Sequence, residues 1–229
     1  MKVATFNGNM LANNKVLAYS KLIPYLKDLK FDSGIISNVG NQKLELELLR
    51  IYPDLITVST NLKFPIKFLY QSMDSIGKDR IANAVGAFFQ NPNANSLIID
   101  AGTCLTFDFI DSNNYYHGGA ISPGLSMRFK ALSSFTENLP HLNEESAVVN
   151  LIGSDTKSSI ISGVVNGIAG EIKNITERYR QKHQLLKVFF TGGDSEFIKS
   201  IVKFEKNGIF AVENLTMIGL NTILHYNDK

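Results

Sequence analysis

The chain is poor in the residues that usually announce special chemistry. It has one cysteine, Cys104, no tryptophan and four histidines in 229 residues. A lone cysteine excludes an intrachain disulfide and argues against a cysteine-based zinc site. It suits a reducing, cytoplasmic home. No apolar run approaches the ~20 residues of a membrane span, and the opening MKVATFNGNM lacks the apolar stretch of a secretory signal. Neither charge is in excess: 23 basic and 21 acidic side chains leave a net +2. That balance carries no electrostatic footprint of a nucleic-acid binder. What is present is ordinary globular material, 44% hydrophobic and 19% charged, which excludes disorder over the whole length. The length fits one large domain or two modest ones.

The apolar pattern alternates between strands and helices, as in an α/β protein. Val3–Phe6, Asn7-Gly8 and Lys15–Tyr19 read as a hairpin, because Asn-Gly suits a tight turn. A helix at Lys21–Leu29, a strand at Gly34–Val39, a helix at Lys43–Tyr52 and a strand at Leu55–Ser59 follow. Phe64–Asp79 reads as loop with a short helical part, and Arg80–Phe89 as a helix packed through Ala and Gly. The second half begins with strands at Ser96–Ala101, Cys104–Ile110 and Tyr115–Ile121, then helices at Leu125–Ser133 and Thr156–Gln181. It ends with a strand at Lys187–Thr191, a helix at Glu196–Phe204, a strand at Ile209–Val212 and a helix at Leu215–Tyr226. The halves match in order, so two similar domains are expected, at 1–95 and 96–229. The second half alone has a strand before its hairpin.

Four motifs could carry chemistry. The strand Ile98–Asp100 runs into Asp100-Ala101-Gly102-Thr103. There a glycine lets a phosphate near the backbone, the threonine hydroxyl can bind it, and the aspartate can hold a cation. An ordinary β-turn is the plainer alternative. Gly118-Gly119-Ala120-Ile121-Ser122-Pro123-Gly124 resembles a ligand wall before a helix N-terminus, or a strand–helix joint stiffened by proline. Gly192-Gly193-Asp194 suits close approach of a nucleotide, with Asp194 also placed to cap a helix. Gly77-Lys78-Asp79-Arg80 offers a base and an anion clamp, or simply a charged helix start. His117 reads as structural or exposed, Cys104 as a small buried residue, and Asp108 and Asp111 as strand-edge and turn residues.

In this order the motifs resemble those of type III pantothenate kinases. The segments that carry the resemblance are LYQSMDSIGKDRIANAVGA, LIIDAGTCLTFDFI, GGAISPGLSMRFKAL, DTKSSIISGVVNGIAGEI and TGGD, spread over most of the chain. The resemblance implies duplicated ribonuclease H-like (actin-like ATPase) α/β domains with mixed sheets flanked by helices. It implies ATP-dependent phosphorylation of pantothenate, the first step of coenzyme A biosynthesis. Asp79 would be the general base, and Tyr70, Gly77, Lys78, Arg80 and Thr156 would contact pantothenate with it. Asp100 would bind a monovalent cation (K⁺ or NH₄⁺). Gly102, Thr103, Gly192 and Gly193 would contact ATP, bound with Mg²⁺. A homodimer is implied, with neither nucleic acid nor membrane as partner.

One feature of the family is absent: an opening strand ending in Asp-x-Gly-Asn-Thr. Met1–Ala4 corresponds to what should follow it. The expectation is a reading frame that continues upstream of Met1, or a truncated chain. Without that strand its neighbours would have unpaired edges and the fold would be poorly stable. A catalytically impaired paralogue that binds pantothenate or regulates is the alternative.

Overall fold

The computed structural model describes residues 1–38, 40, 42–142, 149–202 and 208–228. Val39 and Phe204, the ends of one expected strand and one expected helix, lie outside the described residues. The chain divides into two compact units: Met1–Pro92 with Asn114–Tyr116 and Asn214–Lys229, and Asn93–Asn113 with His117–Glu213.

The first unit opens with a hairpin of β1 (Lys2–Asn7) and β2 (Met10–Val16), turned at Gly8, whose φ of +58° glycine adopts without strain. Helix α1 (Tyr19–Lys27), β3 (Ile35–Ile36), α2 (Gln42–Ile51) and β4 (Ile56–Thr57) follow. β3 and β4 pair in parallel and, like the hairpin, form a separate two-stranded sheet. Adjacent residues of β3 serve opposite faces, as strand geometry requires. Ile36 joins Val3, Leu22, Leu44, Leu48 and Leu55 in one cluster, while Ile35 joins Val58, Ala82 and Leu220 in another.

The stretch read as loop contains β5 (Lys67–Phe68) and a single 3₁₀ turn at Met73–Ser75 before α3 (Lys78–Gln90). β5 pairs in parallel with Tyr115 and Tyr116. Two residues give no period to read, so this strand exists only through its pairing.

The second unit is built on β6 (Ser96–Ala101), β7 (Cys104–Ile110) and, from His117 onward, β8 (Tyr115–Pro123). Helices α4 (Leu125–Ser134) and α5 (Thr156–Lys182) come next, then β9 (Lys187–Thr191), α6 (Ser195–Val202) and β10 (Ile209–Ala211). The strand order is β10-β9-β6-β7-β8, continued by β5. β6 is antiparallel to β7 and parallel to β9, so both its edges are bonded. Alternate residues (Leu97, Ile99, Ala101; Leu105, Phe107, Phe109; Val188, Phe190) form one apolar face. Ile160, Val164, Ile168 and Ile172, at helical spacing on α5, cover it. The Asp155 carboxylate caps α5 by accepting from the Ser158 N–H at 2.8 Å. The α/β class and the mixed sheet flanked by helices agree with the sequence.

Helix α7 (Leu215–Asn227) returns to the first unit and lies along α3. Their backbones nearly touch. A Cβ on Gly219 would fall 1.7 Å from the Ala82 carbonyl oxygen, and one on Gly86 would fall 2.5 Å from that of Leu215. Replacing Gly219 by Ala must therefore part the helices, and a loss of about 2 kcal/mol or more is expected in thermal or denaturant unfolding.

At the far end of α5 the Phe109 ring is ringed by His183 (4.2 Å between centroids), Tyr179 (5.3 Å) and His117 (5.5 Å). Burial first, then the His117 and Lys182 charges, lower the His183 pKa from its ordinary 6.5, against an upward pull from Asp111. The folded chain thus binds this proton less readily than the unfolded one. The stability from this site is complete above about pH 6.5 and is lost as pH falls through the lowered value. His183→Phe keeps a ring on Phe109 and removes the titration. Between about pH 7.5 and pH 5 its unfolding midpoint should fall less than that of the parent chain.

Candidate active site

The motif residues fall into two groups, one in each unit. In the second unit three turns meet at the end of β6. Asp100 is the ladder partner of Thr191 on β9 and of Thr106 on β7, so the three side chains share one face of the sheet. Beyond it the chain reverses at Gly102 and Thr103, with the Gly102 N–H donating to the Cys104 carbonyl at 3.0 Å. The Gly124 N–H donates to the Thr103 carbonyl at 3.2 Å, and the Asp194 N–H to the Ala101 carbonyl at 2.9 Å. The loops before α4 and α6 are thereby both stitched to the Asp100–Thr103 turn.

This convergence explains two of the glycines. A Cβ on Gly124 would sit 2.3 Å from the Gly102 carbonyl oxygen and 2.4 Å from that of Thr103. A Cβ on Gly192, where φ is +103°, would sit 2.3 Å from the Ala101 oxygen and 2.5 Å from Asp100 Oδ1. Gly193 has open space where a Cβ would be, and Thr103 is exposed, so this end of β6 presents backbone and a hydroxyl outward. Burial pushes the Asp194 carboxyl pKa up.

Two features here escaped the sequence reading. The Thr106 hydroxyl is buried without a hydrogen-bond partner, although its residue faces Asp100 across the ladder. Asp108, read as a strand-edge residue, is 0% exposed within β7. Its charge, after burial, helps push the Tyr179 phenol pKa up. An alternating strand gives no warning of a buried carboxylate.

In the first unit, Gly77-Lys78-Asp79-Arg80 begins α3. Asp79 is exposed, and its Oδ1 accepts the Arg80 N–H at 2.9 Å. That oxygen would lie 2.5 Å from a Cβ on Gly77, so the glycine leaves the carboxylate room to fold back. Arg80 is only 5% exposed, with its guanidinium carbon 5.9 Å from the centre of the Tyr70 ring. Tyr70 in turn leans on Tyr116, which packs against Phe68. An arginine oriented on an aromatic platform is pre-ordered to meet an anion. Thr156, the remaining candidate, is exposed at the first position of α5 in the second unit.

A family model for type III pantothenate kinase matches residues 12–178. The chain belongs to the type III pantothenate kinase family. A type III pantothenate kinase of Christiangramia forsetii is 40% identical, the match covering 99% of this chain and 94% of that protein. One from Cytophaga hutchinsonii is 39% identical over 99% and 95%. Among solved structures, a Campylobacter jejuni protein named for the Baf family of transcriptional activators matches at a TM-score of 0.60 and 26% identity. That match covers 90% of this chain and 88% of the other. Family membership agrees with the resemblance carried by the motifs. Among the described residues no three His, Cys, Asp or Glu side chains gather as a metal cage, and no helix is long and apolar enough to cross a membrane.

Proposed function

We propose that this chain transfers the γ-phosphoryl group of ATP to the primary hydroxyl of pantothenate, giving 4′-phosphopantothenate and ADP. The observation that carries this reading is the glycine-lined meeting of three turns at Asp100 and Thr103, in a chain of this family. The Gly102–Thr103 turn, with Gly192 and Gly193, holds the nucleotide phosphates through backbone N–H groups and the Thr103 hydroxyl. Arg80, braced on Tyr70, clamps the pantothenate carboxylate, with Gly77 and Lys78 beside it; Thr156 is proposed as a further pantothenate contact. The pantothenate oxygen attacks the γ-phosphorus, the bond to the β-phosphate bridging oxygen breaks, and Asp79 takes the hydroxyl proton. Little covalent help is required, because the transition state is loose and positioning does most of the work. The cytoplasm, where ATP is plentiful, is the proposed location. The repeated order of elements supports two actin-like halves, 1–95 and 96–229.

Mg²⁺ on the nucleotide and a monovalent cation (K⁺ or NH₄⁺) beside Asp100 would offset the charge of the phosphate oxygens. The residues present fit a cation of low charge. Asp100 supplies one carboxylate, and the unpartnered Thr106 oxygen on the same face supplies a neutral donor.

A homodimer is also proposed. Gly163, Gly167 and Gly170 lie exposed along one side of α5, each with open space where a Cβ would be. Mid-helix glycines cost about 1 kcal/mol each relative to alanine, a cost that close approach of a second copy would offset.

Two measurements test these readings. In a coupled ADP-release assay the chain should turn over only with pantothenate, and Asp79→Asn should lower kcat by about 10²-fold or more with the unfolding midpoint kept. Near-normal turnover in that variant removes Asp79 from the base role, and no pantothenate dependence in the parent removes the reaction. For the cation, KCl should raise the unfolding midpoint of the parent and of Thr106→Ser above its value in choline chloride. Thr106→Val should fold at least as stably without K⁺, since an unmade hydrogen bond costs about 1–3 kcal/mol, yet lose the K⁺ response. An undiminished response in Thr106→Val rules the hydroxyl out.

A further inference from the structure

Arg128 lies one turn into α4, just past the Gly118–Gly124 motif, and the sequence assigns it no role. Its side chain runs back toward the start of the helix, the direction helical side chains favour. There it makes three bonds. Nε donates to the Pro123 carbonyl at 2.9 Å and Nη2 to the Ser122 hydroxyl at 2.9 Å. Nη2 also pairs with the Glu171 carboxylate on α5. The two side chains are 20% and 25% exposed, so water competes only weakly.

The path from these bonds is short. Ser122 and Pro123 end β8, and the next residue is Gly124, whose N–H holds the Thr103 carbonyl. Gly124 is closely fitted there, because even a Cβ on it would run into the Gly102 and Thr103 carbonyls. No side chain caps α4, so the loop ahead of it is fixed from outside the helix N-terminus. At the other end, Glu171 sits in the middle of a 27-residue helix between Gly170 and the fully buried Ile172.

We infer that Arg128 is a positioning residue for the nucleotide turn: the α5–Glu171–Arg128 strut holds Ser122–Gly124, and through the Gly124 N–H it holds Thr103 in register with Asp100. The fork matters as much as the charge. A lysine can pair with Glu171, but a single ammonium cannot also serve Ser122 and the Pro123 carbonyl in the same plane. A role in stability alone predicts that Lys restores everything. A positioning role predicts that Lys restores stability and leaves the turn loose.

The inference rests on the kinase reading only for its kinetic readout, so the test carries a second one. Arg128→Lys, Arg128→Ala and Glu171→Gln are made in the full chain. Backbone hydrogen exchange is followed in peptides covering 101–106 and 118–126, with KM for ATP and for pantothenate and the unfolding midpoint. Arg128→Lys should keep its midpoint within a few degrees while exchange in both peptides quickens about fivefold or more. Its KM for ATP should rise about fivefold or more, with KM for pantothenate within about twofold. Glu171→Gln, which keeps an acceptor, should shift both readouts in the same direction by less. Unchanged exchange and unchanged KM for ATP in Arg128→Lys overturn the inference. So does failure of both Arg128 variants to fold, since Arg128 would then be a structural pair alone. If the parent shows no pantothenate-dependent turnover but the variants loosen both peptides, the kinase reading falls and the strut stands.

Discussion

Strand β6 is hydrogen-bonded along both edges, antiparallel to β7 and parallel to β9, and the second unit depends on that double pairing. A strand bonded on one side can slip or twist at its end. One bonded on both cannot, so the residue at its tip has a fixed place. That residue is Asp100, and each flanking strand delivers a loop to it. β7 and β8 lead to Gly124, and β9 leads to Gly192. The loops need not be rigid themselves, because two backbone bonds tie them to the turn. Precision at the site is inherited from the ladder.

The first unit is organised differently. Its first four strands form two separate pairs, and its chemistry-bearing residues ride on a helix start rather than a strand end. Order there comes from aromatic packing. Phe64, Phe68, Tyr116 and Tyr70 follow one another ring to ring, and the Arg80 guanidinium closes the series. A planar cation stacked on a ring is held in orientation by that contact.

The sequence made the second unit legible almost residue by residue. β6, β7 and β9 occupy the spans their patterns indicate, because each is a run of β-formers ended by Gly, Asn or Asp. The glycine turns were legible as motifs too, since a glycine demanded by close approach looks the same in sequence and in space. What stayed hidden was whatever one segment owes to another far away. β5 has two residues and exists by pairing with Tyr115 and Tyr116. The Arg128–Glu171 contact joins residues 43 apart on two helices. Thr106 looked like an ordinary strand threonine until its partnerless hydroxyl was seen opposite Asp100. Local pattern encodes what a residue must be for its own backbone. It does not encode which distant atom it meets.

The contact between α3 and α7 has an evolutionary consequence. Gly219 faces the carbonyl oxygen of Ala82, and Gly86 faces that of Leu215. Were the obstacle a side chain, a smaller neighbour could make room and the pair could drift together. A carbonyl is common to all twenty residues, so no exchange at 82 or 215 relieves a methyl at 219 or 86. These positions have no second-site suppressor within the contact. The chain can vary around them only by moving a whole helix.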